Sequence, residues 1–332
     1  MRKIFLLSLV ALISAFIYRY QESKKVNSQP QVSSKKISLS PKTPQSFDQK
    51  RKTIYKKEEA TLAPVPKNTN HRTTRTMIPI KSKDMVNQFE NGDIVVEYVE
   101  VDGDLLIAQG DLIVGDVKNL DQYQNGTKPL LLPMPRKWPN NRVPFSFSNS
   151  SSREIDMTAA ASIKERVLEA VNAINDLTNV KFVEKTDNDQ DYVEIQYVEG
   201  RCVSNVGYLG GKQKIGLGSG CTYVKIIHEL MHTLGFFHEQ NRPSSREHIQ
   251  VLWENIDETN WIQFKVIPKQ LISELEIPFS FETVMLYPST SFSKFDGDFS
   301  IVKSDGSEIQ MNEFPNKIDI ERINKLYPKV TQ

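Results

Sequence analysis

The sequence predicts an α+β domain built on a twisted mixed sheet, and three observations lead there. Strand-like runs at 142–147, 180–183 and 193–197 flank one long amphipathic segment, so the order is strand, helix, strand, strand, a sheet-and-helix layer rather than a bundle. The chain has 332 residues and is 39% hydrophobic, enough to bury a substantial core. Charge is unevenly spread: residues 1–83 carry 18 Lys and Arg against 4 Asp and Glu, and residues 84–332 carry 24 against 37. A basic arm therefore precedes an acidic body.

The arm begins Met-Arg-Lys and continues with an uncharged run from Ile4 to Tyr18, the layout of a secretory signal. Fifteen helical residues reach about 22 Å, short of a hydrocarbon core of roughly 30 Å. Residues 1–20 are therefore expected to be a signal peptide or, because no clean Ala-x-Ala site follows, a signal anchor. Either implies a secreted or cell-envelope protein. Residues 21–83, rich in Lys, Ser, Gln, Pro and Thr, are expected to be a disordered basic linker and a candidate membrane or envelope tether. Few aromatics interleave with its lysines, which argues against nucleic-acid binding.

Residues 84–128 change texture, with short β-rich runs at 94–99 and 105–107 between Gly-Asp turns, and are expected to be a separate segment. The Pro-rich stretch Pro129 to Pro139 opens the body, residues 129–332, and its pair Arg136-Lys137 is a candidate processing site. In the body, Arg142–Phe147 reads as a strand. Ile163, Val167, Val171, Ile174 and Leu177 recur at spacings of 4, 4, 3 and 3, the apolar face of a helix. Val180–Val183 and Val193–Tyr197 read as strands. Residues 207–220 hold six of the fifteen glycines but no Gly-Lys-Ser/Thr, which excludes a phosphate loop. They frame an extended strand, Gln213–Leu217, whose edge is expected to receive an extended peptide. The two cysteines, Cys202 and Cys221, are expected to pair if the chain is exported and to be buried thiols if it is not.

Three of the five histidines fall within eleven residues, His228-Glu229-Leu230-Met231-His232-Thr233-Leu234-Gly235-Phe236-Phe237-His238. Ile226, Ile227, Leu230, Met231 and Leu234 give this run the apolar face of a helix, on which His228 and His232 lie one turn apart and point to one spot. Gly235 can take a positive φ, end the helix and bring His238 back as a third imidazole. Three neutral imidazoles with an open position are the catalytic zinc arrangement, one Zn2+ per chain, with Glu229 beside the first ligand as general base.

The run from His228 to Glu239 resembles the His-Glu-x-x-His-x-x-Gly-Phe-x-His-Glu signature of the astacin family of metzincins, and the likeness extends over roughly Trp138 to Tyr327. The resemblance implies a zincin-like catalytic domain with its cleft between N- and C-terminal subdomains, and a zinc endopeptidase acting on protein or peptide substrates, expected as a monomer. Thr283-Val284-Met285-Leu286-Tyr287 is similar to the family's Met-turn, which implies Met285 as the floor of the site and Tyr287 as an oxyanion stabiliser; alone they would read as a core residue and a surface aromatic. Cys202 and Cys221 fall where the family has the disulfide preceding its zinc helix, and the missing second bridge implies a minimal, bacterial-type member. Glu239 matches the acid that receives the freed N-terminus, or else is a structural acid or an exposed carboxylate. Residues 84–128 then become a propeptide, and Asp111, in a stretch resembling the family's Phe-x-Gly-Asp, its latency switch, with Gly-Asp also present at 92–93, 103–104 and 115–116. The rival reading is a non-catalytic zinc-containing binding or adhesion module at the envelope. Arg242, Arg246 and Lys212 are candidates for contacts to acidic substrate side chains.

Overall fold

The computed structural model describes the backbone at residues 76–79, 94–95 and 98–102, and then residues 104–330 apart from gaps at 126, 128–130, 133, 149–156, 199 and 268–276. All of these lie in the second of two compact units, residues 71–332. The expected signal segment and nearly all of the expected linker lie outside the described residues. One piece of that linker is described: β1 (Thr76–Pro79) is a strand, so regular structure starts before residue 84.

Ahead of the body come β2 (Ile94–Val95), β3 (Tyr98–Asp102), β4 (Leu105–Ala108), β5 (Leu112–Asp116), a short helix α1 (Leu120–Gln124), and β6 (Leu131–Leu132), which pairs with β2. The body follows with β7 (Arg142–Phe147), α2 (Met157–Leu177), β8 (Lys181–Glu184), β9 (Tyr192–Tyr197), β10 (Cys202–Ser204), β11 (Lys212–Leu217) and α3 (Tyr223–Thr233). A small antiparallel pair, β12 (Ile249–Val251) and β13 (Ile301–Lys303), precedes the last helix, α4 (Lys317–Leu326).

Nine strands make one sheet in the order β1-β3-β4-β5-β10-β11-β9-β7-β8. β8, β7, β9 and β11 are parallel neighbours, and β10 runs antiparallel to β11. β5 adds to β10 in parallel, Leu112 opposite Ser204, so strands from before residue 129 extend the sheet of the body. This corrects the expectation for Gln213–Leu217. β11 is paired on both sides and has no free edge; β10 covers it, a three-residue strand too short to stand out in the sequence.

On α2, Ile163, Val167, Ala170, Val171 and Ile174 are buried, while Leu177, the last helical residue, is 40% exposed and outside the expected apolar face. The buried face packs on Val143, Phe145, Phe182, Val193 and Ile195 of the sheet and shares one core with Ile226, Leu230 and Met231 of α3, Met285, and Ile323 of α4. Each such side chain contributes about 1.5–3 kcal/mol of transfer free energy on burial. A second core gathers Ile249, Ile256, Phe264, Leu286, Tyr287, Ile301 and Ile309. Met285 belongs to the first and Tyr287 to the second, so the two meet at that turn.

Cys202 of β10 is bonded to Cys221 just ahead of α3, with 5.8 Å between Cα atoms. The bridge ties a very short strand to the start of the helix that carries two of the histidines. Full-length protein carrying Cys202→Ala and Cys221→Ala should lose about 3 kcal/mol of stability by the loop-closure argument. A urea midpoint unchanged from wild type would show that the sheet alone holds β10.

Candidate active site

α3 starts at Thr222, whose Oγ1 accepts the Lys225 N–H (3.4 Å) as an N-cap, and ends where Gly235 takes φ +105°. A side chain at Gly235 would be strained by that φ and would press on Pro135. The carbonyls freed at the helix end are taken by the body's first and last aromatics: Trp138 Nε1–H donates to Thr233 O (2.9 Å) and Tyr327 O–H to Leu234 O (2.9 Å). The turn at Gly235 returns the chain, and His238 meets the two helical histidines.

His232 Nε2 lies 3.0 Å from His228 Nε2, which lies 3.1 Å from His238 Nε2. The Nδ1 atoms of His228 and His232 face backbone carbonyls, Val284 O at 2.8 Å and Phe236 O at 2.7 Å. A carbonyl can only accept, so Nδ1 of each ring carries the proton and its Nε2 is a bare lone pair. Two lone pairs at 3.0 Å form no hydrogen bond; a cation between them satisfies both. Burial pulls the pKa of His232 down to about 4 and that of His238 below its ordinary value, which keeps these rings neutral. The donor set fits zinc.

Asp111 joins them. Its Oδ2 lies 3.1 Å from His238 Nε2 and 3.4 Å from His228 Nε2, and its Oδ1 lies 3.5 Å from His232 Nε2. Burial by itself would raise this carboxyl; positive charge among the three imidazoles, which a bound cation would supply, holds it well below the usual carboxylate range. The hairpin between β4 and β5 delivers it: Gln109 (φ +48°) and Gly110 (φ +88°) turn the chain so tightly that a Cβ at Gly110 would sit 2.8 Å from both Tyr287 and Phe292. The other described Gly-Asp pairs lie elsewhere: Asp104 is exposed, and Asp116 pairs with Lys214 (2.8 Å). Residues 92–93 lie outside the described residues.

Glu229 is 2% exposed, with Oε2 making no hydrogen bond; burial first, then the charge of Asp111, push its pKa well above normal. Tyr287 is buried rather than at the surface, its ring 4.6 Å from that of His238 and its O–H donating to Gln109 O at 2.8 Å. Met285 is fully packed beneath, and its carbonyl accepts the Glu239 N–H (2.9 Å). Glu239 is buried and ion-paired, not an exposed carboxylate. Arg242 is spent on Glu239 and Ile277 O and Arg246 on Gln240 O and Phe264 O, so neither is left for an acidic substrate, while Lys212 is half-exposed and makes a surface pair with Glu194 at 3.3 Å.

Sequence reasoning missed two charged residues of α4. Asp319 accepts from Thr283 Oγ1 (2.5 Å) and Val284 N–H (2.9 Å), fixing the turn whose carbonyl orients His228, and Arg322 grips Glu239. The available signal was their spacing: positions 319, 322, 323 and 326 form one buried helical face, so two charges occupy core positions.

The model of the peptidase family described as Astacin matches residues 132–328. The zinc metalloproteinase nas-4 of Caenorhabditis elegans is 35% identical over 225 residues, covering 66% of this chain and 68% of its own, and nas-15 of the same nematode is 34% identical over 243 residues, covering 73% and 39%. The chain thus spans well under half the length of the second relative. Among solved structures, a hatching enzyme zinc-protease of the medaka fish Oryzias latipes is 28% identical over 58% of this chain and 94% of its own, with a TM-score of 0.49. With the family's match running through nearly all of the body, and zinc its metal, this chain belongs to the astacin family of peptidases.

Proposed function

We propose that the chain is the latent precursor of a zinc-dependent endopeptidase, and the observation that carries this is the convergence of three imidazole Nε2 atoms and the Asp111 carboxylate within 4.8 Å of one another. His228, His232 and His238 hold the metal. Bound zinc supplies an acidified water and a polarised scissile carbonyl. Glu229 takes the proton of the attacking water and passes it to the leaving amine, a role suited to a carboxyl whose pKa lies above the ordinary range. Tyr287 turns its O–H from Gln109 O to the oxyanion once that partner leaves.

Latency follows from three contacts of one hairpin. Asp111 fills the position a substrate carbonyl would need, Gln109 O occupies the Tyr287 hydroxyl, and β5 occupies the outer edge of β10, with Ser204 N–H donating to Asp111 O (2.9 Å) and Asn205 Nδ2 to Ile113 O (2.9 Å). Residues 134, 136 and 137 are exposed between buried Leu132 and Trp138, but Arg136 is tied to the body by the Tyr208 N–H, Tyr208 O and Leu209 O, so processing there requires this segment to loosen. Protein or peptide substrates follow from the peptidase family.

Export is proposed from the signal-like first 20 residues and fits the Cys202–Cys221 bond; among the described residues no helix is long and apolar enough to cross a membrane. The envelope tether and the monomeric state rest on sequence character alone. A bacterial-type origin has only the single disulfide in its support, and the two zinc metalloproteinases named above come from a nematode.

Processed protein carrying Glu229→Gln should keep its zinc and cleave casein at least about 10²-fold more slowly; wild-type turnover in this variant would end the assignment of Glu229 as base. Asp111→Ala in the uncut chain should raise peptide cleavage about tenfold or more, an effect of about 1.4 kcal/mol or greater. A precursor as silent as wild type would mean that Asp111 does not block the site. Dialysis against a strong chelator should abolish activity, and stoichiometric zinc should restore it.

A further inference from the structure

The carboxylate of Glu239 is 2% exposed, adjoins the third imidazole, and has no part in the chemistry above. Taking such a group from water costs several kcal/mol unless opposite charge and hydrogen bonds replace its hydration. Arg322, itself 3% exposed, meets it fork to fork: Nη1 to Oε2 at 2.9 Å and Nη2 to Oε1 at 2.8 Å. Arg242 Nη1 adds contacts of 3.1 and 3.3 Å, and the Ser280 N–H donates to Oε1 at 2.9 Å. Among the described residues, every one of these partners comes from residues 242–322. None comes from the segment where the chain would be cut.

The same helix reaches the site by a second route. Asp319, three residues before Arg322 and on the same face, holds Val284 N–H, and Val284 O receives the Nδ1 proton of His228. Glu239 N–H donates to Met285 O in the same turn. α4 thus grips both backbone stretches that aim His228 and His238.

We propose that Arg322, assisted by Arg242, is a built-in countercharge that positions the His238 segment, so that the working site needs no charge from the amino terminus that processing creates. This rests on the reading of the chain as a processed precursor. It departs from the resemblance noted at the outset, which gives Glu239 the freed N-terminus as partner; here the position is already filled. Any cut within the exposed run ahead of Trp138 leaves the same buried cluster intact.

The test uses full-length protein with a site-specific protease sequence placed at three different points between residues 126 and 137, cut and freed of the propeptide. The three products should cleave casein within about twofold of one another and release zinc to a chelator at equal rates. One N-terminus working more than about tenfold better than the rest would overturn the proposal. In the uncut chain, Arg322→Gln should speed zinc release about tenfold and Arg322→Lys less, while the triple variant Glu239→Gln, Arg242→Gln, Arg322→Gln should recover most of the loss, because it removes both guanidinium groups together with the carboxylate they pair with. Release from Arg322→Gln at the wild-type rate would defeat the positioning role. Should that variant fail to fold, a triple variant that folds and releases zinc at the wild-type rate supports the countercharge, and one that folds and releases it about tenfold faster defeats it. If every processed form holds zinc and none cleaves casein, the endopeptidase reading fails, and the zinc-release series alone decides the role of Arg322.

Discussion

The Nε2 atoms of His228 and His232 lie 3.0 Å apart with the ring protons turned to carbonyls behind them, and they repel one another unless a positive ion lies between them. This constraint organises the body of the molecule. Val284 O and Phe236 O must stand where they hold two rings in the right tautomer, and both belong to turns that do not hold their shape unaided. The turn at 283–287 is pinned by Asp319, and the return at 235–238 depends on the positive φ of Gly235 and on the Arg322–Glu239 pair just beyond it. Much of what surrounds the histidines serves to make an unfavourable crowding of lone pairs permanent before metal arrives.

Burial then sorts the charges. It keeps His232 and His238 neutral, as metal ligands must be, and it drives Glu229 toward its protonated form, while Asp111 stays ionised through positive charge among the imidazoles, which a bound cation would supply. Two carboxyl groups in one cleft are pushed in opposite directions by their surroundings. With Asp111 in place its charge adds to burial in raising the pKa of Glu229; when Asp111 leaves, that cause leaves as well, though the effect of burial stays.

Much of this was legible in the chain. The histidine spacing on an apolar helical face, the stop at Gly235 and the strands at 142–147 and 193–197 are local patterns, and local geometry produces them directly. What escaped notice is what depends on distant partners. β10 has three residues and exists as a strand because β11 and the Cys221 bridge hold it, so the sheet edge was assigned one strand too early. Leu177 continues a helical stripe past the point where the sheet covers it. Arg242 and Arg246 read as charges available to a substrate, and Asp319 and Arg322 carried no reading, because the carboxylate and backbone groups that bury them lie up to 83 residues away in sequence.

The strands that precede the body join its sheet edge to edge, and this has a kinetic meaning. Ser204 to Asp111, Asn205 to Ile113 and Lys214 to Asp116 are all contacts between groups that a cut near residue 136 leaves untouched. If these strands are the proposed propeptide, severing the chain would convert a tethered inhibitor into a bound one, its hold passing from the high effective concentration of a covalent link to an ordinary dissociation constant. On that reading the onset of activity would follow dilution and destruction of the released peptide rather than the cut itself, and a concentrated store of nicked protein would stay quiet until dispersed.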